Sequence, residues 1–313
     1  MGMIDDDVPV TDIVMPGSHD SGTYGMLFLG ETQSLSFGDQ MRSGASYFDV
    51  RIRRTGEGEL RFYHGILTSE NGYGDFLSDT VRFLEENPTE FLILDYQHRD
   101  PAGDREFDNT LFSMLLDALG EERILCAPDG MSDLDYVDSL TLGEARGKVL
   151  VTFGADARST DYDFVMVRDS DGGTRAGSVL HSPYDEGNNV QSEEYVNRVF
   201  GEYIAQYSAY GGGICVLQTQ LLAGNDNGFV PQSMEEVHNP NVTAWIKSCK
   251  DDPDLLGDLN IIMRDYLTPR KCIDIIELNK YKNFVAEEHA SAFDALVAAD
   301  DDIADAIVTD GDL

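Results

Sequence analysis

"TDIVMPGSHDSG", residues 11–22, decides the fold. A short apolar run breaks into a polar, glycine-flanked turn, as a strand does at its carboxyl end. The turn has neither G-x-G-x-x-G nor G-K-[ST] spacing, so it is not the phosphate loop that opens a doubly wound sheet. Seven more runs read as strands: "SYFDVRIR" (46–53), "LRFYHG" (60–65), "FLILDYQ" (91–97), "KVLVTFG" (148–154), "GSVLHS" (177–182), "GICVLQTQ" (213–220) and "LNIIMRDY" (259–266). Between them, 74–88, 104–119, 191–210 and 271–285 carry helical patterns, with Phe76, Leu77, Val81 and Leu84 as an example. Alternation of strand and helix implies a parallel sheet. Eight strands in an undivided α/β chain fit a (β/α)8 TIM-like barrel, with room for distortion or incomplete closure.

The 313 residues hold no linker, so residues 1–285 are expected to form one barrel domain. Residues 286–313 contain nine acids and no Lys or Arg, with Phe293, Leu296, Ile303 and Ile307 near one helical face, and read as an acidic helix or tail. Hydrophobic residues are 42% of the chain and none of their runs is long enough to span a bilayer. The start, "MGMIDDDVPV", shows no signal peptide, so a soluble protein is expected, cytoplasmic, or secreted if the sequence is a mature form. Cys126, Cys215, Cys249 and Cys272 lack zinc-ligand or redox spacing and read as buried or half-buried thiols. No cofactor or metal is expected.

Charge excludes a class of partner. With 58 acidic against 22 basic residues the formal net charge is −36, which repels nucleic acid and disfavours anionic bilayers. The basic residues are sixteen arginines and six lysines, and so acidic a surface suits a medium in which salt screens it. A salt-adapted host and a monomer are expected.

Barrel enzymes place their chemistry at the carboxyl ends of the strands. Those ends offer His19 with Asp20, Asp49 with Arg51, His64 and Asp265. Taken singly, each reads as structural more often than catalytic; their joint placement makes the case. Two imidazoles can divide general-base and general-acid work, carboxylates can hold their tautomers, and a guanidinium can grip a phosphate bidentately. This is the set that metal-free phosphodiester cleavage needs.

The segments "PGSHDSGTY", "YFDVRIR" and "YHG", with "NPTEFLILDYQ" (87–97), "LGEARGKVLVTF" (142–153) and "IIMRDYL" (261–267), resemble the X-domain of phosphatidylinositol-specific phospholipases C, in particular the metal-independent bacterial type, over residues 10–285. The resemblance implies His19 as general base with Asp265 behind it, and His64 as general acid paired with Asp20. It implies Arg51 as the cation that stabilises the phosphate, set by Asp49, where calcium-dependent members carry an acid. The implied substrate is a phospholipid or related phosphodiester met at a transient membrane surface.

The head-group side departs from the family. Gln97 and Gly154 stand where basic residues are expected, and "LHSPYDEGNN" (180–189) offers His181, Tyr184 and Asp185 for the family's carboxylate and stacking tyrosine. Tyr184 reads equally as a sugar-stacking ring and as plain packing. The run "YGMLFLG" (24–30) reads as core rather than as a membrane-dipping rim, and His98, His238 and His289 read as surface or structural residues. Two other functions stay open: a catalytically weak barrel that binds a glycan or lipid head group, and a metal-dependent glycerophosphodiester phosphodiesterase, which would want acids where Arg51 stands.

Overall fold

The structure, a computed structural model, describes residues 1–154, 160–169, 177–184, 193–222 and 228–298. Its ten strands are β1 (Met15–Ser18), β2 (Tyr47–Arg54), β3 (Leu60–His64), β4 (Leu67–Gly72), β5 (Leu92–Asp100), β6 (Val149–Gly154), β7 (Val165–Arg168), β8 (Leu180–His181), β9 (Ile214–Gln218) and β10 (Ile261–Arg264). Eight of them pair in parallel in the ring order β1-β10-β9-β8-β7-β6-β5-β2, and the ring closes through Gly17↔Tyr47 and Ser18↔Phe48. The α/β barrel is therefore closed.

The expected count of eight is right, but its membership needs correction. "LRFYHG" forms β3, which runs antiparallel to the upper half of β2 and continues into β4 as a hairpin outside the ring. The eighth barrel strand is β7, "VMVR", which is too short and too closely flanked by acids to stand out as an apolar run. The weakest joints lie beside it, since β7 and β8 share the single register pair Arg168↔Leu180.

Strand side chains alternate between two faces. Tyr47, Ile93, Leu150, Met166, Val216, Ile261 and Met263 belong to one apolar cluster within the ring. Their neighbours Phe48, Leu94 and Val151 pack with Phe76 and Phe112 of the surrounding helices, and Leu217 and Ile262 pack with Phe200 and Trp245. Following the inward positions towards the carboxyl ends turns apolar into polar: Tyr47, Asp49 and Arg51 on β2; Ile93, Asp95 and Gln97 on β5; Ile261, Met263 and Asp265 along and just past β10. One layer below the carboxyl ends, Asp95 is held by the Tyr47 hydroxyl at 2.6 Å, Thr152 Oγ1 at 2.8 Å and Arg168 Nε at 3.1 Å.

The expected helices form at Tyr73–Glu86, Arg105–Leu119 and Glu193–Tyr207, whereas the fourth divides into Pro269–Ile276 and Leu278–Tyr281. Past residue 285, the helix Ala290–Ala298 buries Phe293 while Leu296 stays exposed, and Arg270 Nη1 donates to the Val297 carbonyl. Ile303 and Ile307 lie outside the described residues. Three cysteines are buried thiols, but Cys126 is exposed, contrary to its expected burial. No helix among the described residues is long and apolar enough to cross a membrane.

Candidate active site

The turn after β1 places two functional groups at once. Asp20 adopts a left-handed backbone (φ 45°), its N–H donates to Asp49 Oδ2 at 3.1 Å, and Ser21 N–H donates to the Asp49 carbonyl at 3.1 Å. Gly22 lets the turn lie flat on the hairpin, because a Cβ there would sit 2.0 Å from the Phe62 ring. The glycine of "HDSG" thus follows from close approach of backbone to ring.

His19 Nδ1 donates to Asp265 Oδ1 at 2.6 Å, which leaves Nε2 facing Arg51 Nη2 at 3.2 Å. Arg51 in turn binds Asp49, Nε at 3.0 Å and Nη2 at 2.8 Å from Oδ2, and gives another Nη2 contact to Gln97 Oε1 at 3.0 Å. Asp20 is fully enclosed. Its carboxylate lies 2.7 Å from Arg51 Nε, 3.4 Å from His19 Nε2 and 3.7 Å from His64 Nε2. The dyad expected between Asp20 and His64 is therefore a carboxylate shared by one guanidinium and two imidazoles, with Arg51 nearest. His64 takes its orientation elsewhere: Nδ1 donates to the Gly30 carbonyl at 3.0 Å, so Nε2 is the nitrogen free to exchange a proton.

Electrostatics follow from this crowding. Burial pulls the His19 imidazole down, but Asp20 and Asp265 more than offset it, and its pKa is pushed up from 6.5 to about 9. Burial works to raise Asp49, yet Arg51 and His19 hold its carboxyl below the usual range. Asp49, Asp20 and His19 bring ligand atoms within 4.8 Å of one another, the one such grouping found among the described residues. A metal there would meet the Arg51 guanidinium, which already binds both carboxylates.

These groups open into a cavity of about 720 Å³. His19, Asp20, Arg51, His64, Asp265, Gln97 and Tyr184 all line it, so seven of the expected site residues meet in one place, with Asp49 directly behind. Tyr184 is tethered by its hydroxyl to the Gln220 carbonyl at 3.5 Å. His181 is the exception and is corrected: its ring stacks on Tyr210 at 4.2 Å and Nδ1 binds Asp169, away from the cleft, because it leaves β8 opposite Cys215 on the outward face. Asp185 lies outside the described residues.

The cleft also gathers residues that the strand patterns did not assign to it. A register shift between β2 and β5, from Asp49↔Asp95 to Arg51↔His98, is a bulge that turns consecutive Gln97 and His98 to the same cavity. His98 is thus a cleft residue, unlike His238, which is buried and donates from Nε2 to the Thr219 carbonyl at 3.1 Å. Gln218 and Gln220 line the wall, bridged by a 2.7 Å bond from Gln220 Nε2 to Gln218 Oε1. Their signal was the polar end of "GICVLQTQ". The loop read as core is instead exposed: Leu27, Phe28 and Leu29 are 69, 62 and 51% exposed, with Leu29 lining the cavity beside Phe229 and Leu222, which are exposed too.

Comparison with known proteins bears on the family and the fold. No family model matches the chain. A 99-residue stretch is 31% identical to the 1-phosphatidylinositol phosphodiesterase of Staphylococcus aureus, spanning 30% of this chain and about a third of that protein (32%). Mouse PI-PLC X domain-containing protein 2 is 28% identical over 315 aligned positions, covering 87% of this chain and 84% of the relative. The chain's homologues are PI-PLC X-domain proteins and bacterial phosphatidylinositol phosphodiesterases. Among solved structures, the phosphatidylinositol-specific phospholipase C of Listeria monocytogenes superposes with a TM-score of 0.66 at 17% identity, covering 89% of this chain and 97% of that one. The S. aureus enzyme follows at 0.62 and 19%, covering 84 and 89%. At these identities the superpositions establish a shared PI-PLC barrel.

Proposed function

We propose that the protein is a metal-independent phosphodiesterase of the phosphatidylinositol-specific phospholipase C type, cleaving phosphatidylinositol or a close relative through a cyclic phosphate. The observation that carries the reading is the His19–Asp265 pair with its Nε2 3.2 Å from Arg51 Nη2 and with His64 Nε2 across the same cavity. A phosphodiester gripped by Arg51 would lie between the two imidazoles. His19 Nε2 takes the proton of the neighbouring 2-hydroxyl, whose oxygen attacks phosphorus from within the bound head group, an intramolecular advantage. His64 Nε2 then protonates the departing glycerol oxygen. Arg51 carries the charge that builds on the phosphoryl oxygens, the task a divalent ion performs elsewhere.

With its pKa pushed up to about 9 by Asp20 and Asp265, His19 is chiefly protonated at pH 7, and its scarcer neutral form is the stronger base. Arg51 is the single Lys or Arg among the described residues lining the cavity, and Gln97, Gln218, Gln220 and Tyr184 make the wall. This supports an unphosphorylated head group, since extra phosphates would meet no second Lys or Arg among the described residues lining the cavity. The exposed Leu27, Phe28, Leu29, Ile66, Leu222 and Phe229 support adsorption to lipid by apolar contact, which a net charge of −36 does not assist.

Phosphorus NMR of products from a panel of phosphodiesters tests the reading. A cyclic inositol phosphate formed from phosphatidylinositol in excess EDTA is the expected result. Binding of the head group with no turnover would favour a lipid- or glycan-binding barrel, and turnover only with added divalent metal would favour a metal-dependent glycerophosphodiesterase.

A further inference from the structure

Asp265 follows the last residue of β10, and something must fix its backbone if its carboxylate is to stay 2.6 Å from His19 Nδ1. The next residue, Tyr266, has a left-handed backbone (φ 44°), an uncommon state for a bulky side chain. Its N–H donates to the Thr32 carbonyl at 2.7 Å. The turn brings the carbonyls of Asp265 and Tyr266 to one buried ammonium: Lys271 Nζ donates to them at 3.0 and 2.8 Å, and to Glu235 Oε1 at 2.5 Å. Lys271 is only 9% exposed. An ammonium has three protons, and here each has an acceptor.

Such burial is costly unless the charge is paired and its hydrogen bonds are satisfied. Glu235 supplies the pairing and contacts Arg264 Nη2 at 3.4 Å. It also joins two parts of the cleft, because its helix, Pro231–Ser248, contributes Pro231 and Met234 to the cavity wall. We propose that Lys271 is a positioning residue for His19: by gathering the Asp265 and Tyr266 carbonyls and the Glu235 carboxylate, its ammonium sets the Asp265 carboxylate against His19 Nδ1.

This inference rests on the reading of His19 as general base only where turnover is measured; its main test needs no substrate. The charged groups facing His19 are Asp20, Asp265 and Arg51, with Asp49 behind the arginine and His64 across the cavity. Removing a nearby cation should by itself raise the His19 titration midpoint, whereas releasing Asp265 should lower it. The sign therefore separates charge from positioning. The imidazole of His19 is titrated by NMR in the full chain and in Lys271→Met, Lys271→Arg and Glu235→Gln variants. In Lys271→Met the midpoint is expected to fall from about 9 by at least about one pH unit, with kcat on phosphatidylinositol about tenfold lower and KM within about twofold. Arginine should restore little, since a planar fork does not match three acceptors around a point. Glu235→Gln keeps an acceptor of the same shape and should give a smaller fall, which preserves the test if Lys271→Met does not fold. An unchanged or raised midpoint, or full rescue by arginine, would overturn the proposal. A lowered midpoint in a protein that cleaves no inositol lipid would uphold the positioning and sink the proposed function instead.

Discussion

At the floor of the cleft, His19, Asp20, Asp49, Arg51 and Asp265 are ionisable groups in mutual contact, whereas the wall from Gln97 and Tyr184 to Gln218 and Gln220 presents amides and a phenol, with the His98 imidazole beside Gln97. Both derive from inward positions at strand ends, so the difference lies in partners rather than in place. Floor charges are desolvated together and the opposite ones stabilise each other, so deleting a carboxylate or the guanidinium leaves a buried charge less compensated. On the wall, Gln220 Nε2 donates to Gln218 Oε1 and Gln97 Oε1 accepts from Arg51, and removing an amide leaves no wall charge uncompensated. Under the proposed function, the floor would carry the chemistry and the wall the choice of head group.

The largest expected effects come from the floor. His19→Ala and His64→Ala should each lower kcat by at least about a hundredfold, because general acid–base catalysis contributes that much or more. Near-normal rates in either variant, with an intact circular dichroism spectrum, would break the comparison. Arg51→Ala should be comparably inactive while the parent keeps its rate in excess EDTA, and lysine should rescue poorly for want of the planar fork. Chelator inhibition that is reversed by calcium would count against this.

A smaller effect is expected at the wall. Gln97→Lys introduces a cation beside Arg51, and should raise kcat/KM for phosphatidylinositol 4,5-bisphosphate relative to phosphatidylinositol by about tenfold, the worth of one added charge-assisted contact. No change in that ratio would place the head group elsewhere.

Smaller still are the effects on stability. His19 has its pKa raised from 6.5 to about 9 in the folded protein, so its contribution is complete below about pH 6.5 and is lost as pH climbs through about 9. Asp265→Asn removes one cause of the shift, and its urea midpoint should lose less than the parent's between pH 6.5 and 9.5; parallel losses would contradict the pairing. Across the whole surface, 58 acids against 22 basic residues repel over a Debye length of about 10 Å in 0.1 M salt and about 3 Å at 1 M. The thermal midpoint should therefore rise with KCl towards molar concentration, and a flat or falling one would argue against salt adaptation.

The floor was legible in the sequence because its parts lie in short segments at strand ends: "GSHD", "FDVR", "YHG" and "MRD" each carry their residues whole. The wall and its supports were not. His98 faces the cleft only through a bulge, which alternation cannot foresee, and Lys271 meets Glu235 across 36 positions with no local pattern to join them. His181 was misplaced because a two-residue strand gives no periodicity from which to read its face. The strand count came out right through two compensating errors, the hairpin arm β3 taken for a barrel strand and β7 passed over. "YGMLFLG" reads as core because apolar composition alone cannot distinguish burial from an exposed loop.

The most direct test of a charged floor serving a neutral wall is the ratio of kcat/KM for phosphatidylinositol to that for its 4,5-bisphosphate, measured on the unaltered protein in excess EDTA and at a salt concentration where it is folded. With one guanidinium and no second Lys or Arg among the described residues lining the cavity, the unphosphorylated lipid should be cleaved at least about tenfold more efficiently. Faster cleavage of the bisphosphate would contradict the account, because a head group carrying two further phosphates could be preferred only if cations outside this wall receive it.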